Sequence, residues 1–363
     1  MADSMTSRER MIAFFTDKPV DRVPFINQWG PWEETRRRWK QEGMRNDDDW
    51  YALFGFDSSG VDLGVNFGIC PEYEWKQIDE DDEYIVFRDG HGVLQRARKD
   101  GTSMPEWLDY PVKDRKTWEE HKWRFDPETP ERFPPDWGAR AETLKRLDEL
   151  TLVCPYPYGF LSGPRTMMGV EGSLYAMADD PELILDINET LCNLWMALLQ
   201  RVYDEARLDV IHAWEDMAGK NGSLISPGMF HRFMTPFYRR MMTLAEERGT
   251  VIRLVDSDGY MHGLTPLFLE AGLIGTYPYE VQAANDVGKL LRQYPFLHAL
   301  GHIDKRAMAK DRAAMDVEME RLREIVEIGR FIPHMDHAVP PDVPWENYQY
   351  MVWRWKELVG KKD

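Results

Sequence analysis

From about residue 138 the chain alternates between helical stretches and short runs that are apolar throughout. Helical patterning over 138–149, 165–204, 227–248, 260–271, 284–294 and 305–328 precedes LTLVCPYPYG, LDVIHAWEDM, TVIRLVDSDG, GLIGTYPYE, FLHALGHID and RFIPHMDHAVP in turn, and a helix over 345–359 closes the series. Strands that are apolar on both faces and separated by helices are parallel strands buried between layers. With DRVPFINQWG, read as a strand over 21–28, and a weaker run near 60–65, the count reaches eight. Eight such units favour an α/β chain folded as a (β/α)8 TIM barrel over an open sheet. Extra N-terminal helices are expected around Met11, Ile12, Phe14 and Phe15, capped by Thr6 or Ser7, and over 33–42 and 47–54.

One stretch breaks the alternation. Over 66–110 the runs YEWKQI, YIVFRD and GVLQRARK are short and alternating, and Asp89-Gly90 supplies a hairpin turn. We read 66–110 as an antiparallel β insertion within one domain spanning 1–363, followed by a linker over 111–136 with one short helix.

Composition narrows the function. Acidic residues number 63 against 45 basic ones, a net charge of −18, which disfavours nucleic acid and anionic membrane surfaces as partners. No apolar run approaches the roughly 18 residues of a membrane span. The N-terminus lacks the charged and apolar regions of an export signal, so a cytoplasmic location is expected. Three cysteines form no CxxC pair. No GxGxxG or GxxxxGK[ST] follows a strand, so no nucleotide cofactor is expected. Fourteen tryptophans suggest a large pocket for a small-molecule substrate.

Polar residues collect at the strand ends, where a barrel carries its active site. The endings are Tyr156-Pro157-Tyr158, then His212-Ala213-Trp214-Glu215-Asp216, Asp256-Ser257-Asp258-Gly259, Tyr277 to Glu280, His302-Ile303-Asp304, and His334-Met335-Asp336-His337. Asp256 and Asp258 stand two apart, which places both carboxylates on one face of a strand. Such a pair binds a cation or divides into an acid and a base; a turn at Asp258 and a helix cap at Asp256 are the plainer alternative. His334, Asp336 and His337 offer imidazole and carboxylate donors for a divalent metal, although their spacing matches no standard zinc signature. Glu215 and His302 are further catalytic candidates, and Trp214 a pocket wall. Crowded carboxylates at Asp256, Asp258 and Asp336 would repel. A cation, His337, Arg253 or a retained proton would have to relieve them.

Several segments resemble the uroporphyrinogen decarboxylase superfamily: RERMIAFFTDKPVDRVPF, YALFGFD, GFLSGPRTMMGVEGSLYAMADDPELI, GKNGSLISPGMFHRFMTPFYRRM, TYPYEVQAANDVGKL, GHIDKRAMA and DHAVPPDVPWENY. The resemblance implies a (β/α)8 barrel and one of two activities, cofactor-free decarboxylation of a porphyrinogen or methyl transfer involving corrinoid proteins, usually with zinc. The decarboxylases carry a basic RQAGRY-like segment after the first strand; here Asn27-Gln28-Trp29-Gly30-Pro31-Trp32-Glu33-Glu34 stands there, without arginines. The thiol-methylating branch carries His-x-Cys-Gly and a later Cys; Asp256, Asp258 and Asp336 stand at those places.

Three functions follow as expectations. The first is a methyltransferase that demethylates a small substrate, such as a methoxylated aromatic, and passes the methyl to cobalamin on a partner corrinoid protein. Gln28, Trp29, Trp32, Asp57, Tyr156, Trp214, Tyr277 and His337 would bind substrate. Asp256, Asp258, Glu215 and His302 would act in catalysis. Asp256, Asp258, Asp336 and His334 would hold zinc or another divalent cation. The second is decarboxylation of a tetrapyrrole or smaller acid, with Asp57 or Asp62 steadying a protonated pyrrole as the resemblance implies. The third is a ligand-binding barrel without catalysis. A homodimer is the candidate assembly.

Overall fold

The computed structural model describes residues 4–45, 50–101 and 103–362. Seven parallel strands form one sheet: β1 (Val61–Asp62), β2 (Thr151–Val153), β3 (Val210–Trp214), β4 (Ile252–Asp256), β5 (Gly275–Tyr277), β6 (His298–Ile303) and β7 (Phe331–Met335). Each strand pairs with its neighbour in chain order. No order reversal occurs, unlike in a doubly wound sheet.

The expected strand over 21–28 makes no ladder, and this corrects the count of eight. Pro24 has no N–H to give, and the Phe25 N–H is taken by the Asp57 carboxylate at 2.8 Å. The segment still bridges the two edges. The Asp57 N–H donates to the Phe25 carbonyl at 2.7 Å, just before β1, and the Trp32 N–H donates to Val339 at 3.1 Å, just after β7. An extended segment thus fills the eighth place of a (β/α)8 TIM barrel.

Period-two alternation sorts the strand residues. Val210, Ile252, Leu254, Leu300 and Ile332 face the barrel interior, where Met11, Phe14 and Phe15 join them. These three come from the N-terminal helix Ser7–Phe15, whose first turn is closed by a Thr6–Glu9 capping box. The helix plugs the end where the strands start. The opposite strand faces pack against the outer helices.

Some long helical readings resolve into pairs. Asp180-Pro181 divides 165–204 into Ser162–Asp179 and Pro181–Glu205, and Asp311 starts a new helix at Arg312 within 305–328. In the expected helix over 47–54, residues 47–49 lie outside the described residues, and Trp50–Phe54 is helical. The insertion is a four-stranded antiparallel sheet of Lys76–Glu80, Tyr84–Arg88, Leu94–Arg98 and Glu106–Asp109. Its central turn is tied by Asp89, whose carboxylate accepts from the His91 and Val93 N–H groups at 2.9 Å. Among the described residues no helix is long and apolar enough to cross a membrane.

Candidate active site

The strand ends open into a cavity of about 560 Å³. The inward alternation that buries Ile252 and Leu254 brings Asp256 to its floor, and the same period on β3 brings in His212 and Trp214. Tyr277 stands beside Asp256 in register on β5. Asp258 follows in the loop. There Gly259 turns at φ 85°, and a Cβ would lie 2.3 Å from the Ala218 carbonyl, so only glycine fits. Gln28, Trp29, Trp32, Tyr156 and His337 complete the expected lining. Trp29 stacks on His337 with ring centroids 4.9 Å apart, and Tyr156 meets Trp214 edge-on at 5.0 Å.

The acids of this cavity are poorly compensated. Asp256 is 4% exposed, and no group among the described residues hydrogen-bonds its carboxylate. Burial first, then Asp258 and Asp216, push its pKa well above the usual carboxylate range. Asp258 is pushed up to about 7 by burial, Glu280 and Asp216, against the pull of Lys305. Its Oδ1 is buried without a partner, and its Oδ2 lies 3.6 Å from His337 Nε2. Lys305 and retained protons therefore relieve the repulsion, whereas His337 is not among the groups that lower the Asp258 pKa. Arg253 does not, because its guanidinium binds the carbonyls of Gly272 and Thr250. The cap alternative fails for Asp256, whose carboxylate binds no helix N–H among the described residues, while the turn at Asp258-Gly259 is present.

Several expected site residues stand outside the cavity. Glu215 is fully buried and accepts from the Phe160, Leu161 and Ser162 N–H groups at 2.7–2.9 Å and from the Tyr238 hydroxyl. It holds the positive end of the helix Ser162–Asp179, a structural task. Glu215→Ala would strand four buried donors, and we expect a loss of about 3 kcal/mol or more, read as a lowered unfolding midpoint in urea. Glu215→Gln, which keeps an acceptor oxygen, should lose much less. His302 is buried and turned to the Tyr279 carbonyl at 2.8 Å. Asp57 is held by Arg10 and Arg22.

The expected metal set does not assemble. Asp336 is fully buried; it accepts from the Val281 N–H at 3.1 Å and faces Lys305 Nζ at 3.7 Å. His334 lies behind Tyr277, with Nδ1 bound to the Met335 carbonyl. Among the described residues no three His, Cys, Asp or Glu side chains form a group that could hold a metal. Asp256 and Asp258 alone supply too few donors for a four-coordinate zinc ion.

The cavity also holds Cys154, His212, Asp216 and Met104, which the sequence reading missed as site residues. His212 was the legible one, since it precedes Trp214 by two on the same strand. Its ring contacts the Tyr277 hydroxyl, and burial lowers its pKa to about 4, so it is neutral. Burial lifts the Cys154 thiol to about 12. A second cavity of about 500 Å³ adjoins the first under the antiparallel sheet, sharing Met104, Tyr156, Trp214 and Asp216 and adding Arg165.

The model of the uroporphyrinogen decarboxylase family matches residues 131–358. The chain belongs to this family. Among curated proteins none matches it significantly. Among solved structures, a methyltransferase from Methanosarcina mazei is similar over 98% of this chain and 99% of its own, with a TM-score of 0.63 at 13% identity. That likeness shows a shared fold. A putative vitamin-B12 independent methionine synthase from Listeria monocytogenes matches 58% of this chain and 65% of its own, at 12% identity and a TM-score of 0.36. Xylanase B from Clostridium stercorarium matches 62% and 82%, at 13% identity and a TM-score of 0.31. Neither of these two carries an argument about this family member.

Proposed function

We propose that this chain is a methyltransferase that takes a methyl group from a small O- or N-methylated substrate, a methoxylated aromatic among them, and passes it to a corrinoid carried by a partner protein. The observation that supports this reading is the aromatic-walled cavity at the barrel mouth, with Asp256 and Asp258 at the place where a leaving group would sit. The aromatic rings seat and orient the donor. With an ether, a carboxyl proton of Asp256 or Asp258 goes to the departing oxygen, which makes it a better leaving group. With an ammonium, the nitrogen departs uncharged and the carboxylates serve to bind. The corrinoid supplies the nucleophile. Cytoplasmic location and a homodimer complete the proposal.

Decarboxylation of a porphyrinogen is less well supported. Among the residues lining the cavity there is no lysine or arginine to meet a polyanion. Asp57, the residue for a protonated pyrrole, is committed to two arginines away from it, and Asp62 is likewise not among the lining. The test is anaerobic. Purified protein with cob(I)alamin and a panel of O- and N-methylated donors is expected to yield methylated corrinoid, and uroporphyrinogen is expected to remain unchanged. Turnover of uroporphyrinogen with no methyl transfer from any donor would reverse the assignment.

A further inference from the structure

We infer that the cavity at the barrel mouth is a binding site for a methylated ammonium group, so that the substrate is an organic cation. This rests on the methyl-transfer reading and names its substrate class.

Two independent features of the cavity agree. The first is its walls. Trp29, Trp32, Tyr156, Trp214 and Tyr277 contribute aromatic surface around one space. The faces of such rings carry negative electrostatic potential and attract a diffuse cation whose charge is spread over methyl groups. The second is its charge. Asp216, Asp256 and Asp258 line the same space, and no lysine or arginine does. Two cations border it: Arg165 pairs with Asp216 at 3.5 Å and lies over the Trp214 ring at 5.0 Å, and Lys305 faces Glu280 and Asp336 at 3.9 and 3.7 Å, which leaves Asp256 and Asp258 as the pair without a direct cationic partner.

The Asp256 carboxylate decides between a neutral and a charged guest. It is 4% exposed, receives no hydrogen bond from the described residues and faces the cavity. A buried carboxylate without a donor needs a positive partner or a proton. A small inorganic cation would want several more oxygen ligands than this pocket supplies. A methylated ammonium needs none, because it has little to lose in hydration and pairs with rings and carboxylates together. An ether oxygen would satisfy one protonated carboxyl of the Asp256–Asp258 pair but would bring no charge to the other, while Asp216 already has Arg165.

In the transfer the N–C bond breaks with its electron pair staying on nitrogen, so a quaternary ammonium leaves as a neutral tertiary amine. The electron pair of the new bond to carbon comes from the reduced corrinoid of the partner protein. The carboxylates act in recognition and exchange no atoms with the substrate.

The experiment compares choline with its neutral carbon isostere, in which a tert-butyl group replaces trimethylammonium. Both are titrated into the purified protein, and tryptophan fluorescence and heat are read. Choline is expected to saturate at an affinity at least about tenfold above the isostere. Asp256→Asn and, separately, the half-exposed Trp32→Leu should each remove most of that preference, with far-ultraviolet circular dichroism unchanged. Equal affinity for the two probes, or no binding of choline, overturns the inference. If methoxylated aromatics donate methyl groups while choline does not bind, the substrate class falls and the methyl-transfer reading stands. If choline binds selectively while no donor yields methylated corrinoid, the cation site stands and the methyl-transfer reading falls.

Discussion

Asp57→Ala is expected to cost about 3–5 kcal/mol of folding stability, because it takes from the buried Arg22 the carboxylate it holds through both oxygens, while Arg10 keeps Asp21. The Arg22 guanidinium grips both Asp57 oxygens at 2.7 Å, and Arg10 Nη1 reaches Oδ1 at 2.9 Å. Relative exposures of the three side chains are 6, 2 and 1%. The same carboxylate takes the Phe25 N–H. It therefore ties the segment that fills the eighth place of the barrel to the chain entering β1. Gln28, Trp29 and Trp32 hang from that segment into the cavity. The expected result is a lowered urea midpoint together with weaker ligand binding, and the two should fall together. An unchanged midpoint with abolished activity would return Asp57 to the role of a substrate ligand.

The different fate of the acids shows what the sequence carried and what it did not. The barrel was legible because buried parallel strands have to be apolar on both faces, and six such runs stand in order between Leu150 and Pro340. The period of two then fixed which residues reach the mouth. It brings Asp256 and Trp214 to the mouth, and the same period brings His212, which stands in the strand as read but is not among the sequence candidates. The period says nothing about partners. Glu215 and Asp256 both end strands of the sheet, yet one is satisfied by three N–H groups of a helix start and the other by none. Only the tertiary meeting of the loop at 158–161 with β3 makes that difference. Asp57, expected to bind substrate, is likewise claimed by partners the local pattern does not show, since Arg10 and Arg22 are 47 and 35 residues away in sequence. The insertion was visible as alternation, but its fourth strand, Glu106–Asp109, and its approach to Tyr156 and Trp214 were not.

Affinity of the cavity for an organic cation should rise with pH through about 7, and Asp258 sets the sign. Its carboxyl is lifted to about 7 by burial and by the negative charges of Glu280, Asp216 and Asp336, while Lys305 pulls it back. Burial and Lys305 lower the pKa of His337, 3.6 Å away, against the pull of Glu280 and Asp216. Below that value a cation must displace a proton from Asp258 to gain its charge. Apparent affinity for tetramethylammonium should then change by up to about tenfold per pH unit, and level off above pH 7. Stability moves the other way. A carboxyl with a raised folded pKa keeps a proton that the unfolded chain has already lost between about pH 4 and 7, so its contribution to stability falls as pH rises across that window. Asp258→Asn should flatten both curves in part, with Asp256 still titrating: binding becomes weaker and its rise with pH shallower, and the melting temperature at pH 8 rises above that of the parent. These are measured by titration of the probe at fixed ionic strength and by thermal melts across pH 5–8. Affinity that falls with rising pH would overturn the part given to the Asp258 carboxylate in binding the cation. Binding and melting curves unchanged by the substitution would leave Asp258 without a part in recognition.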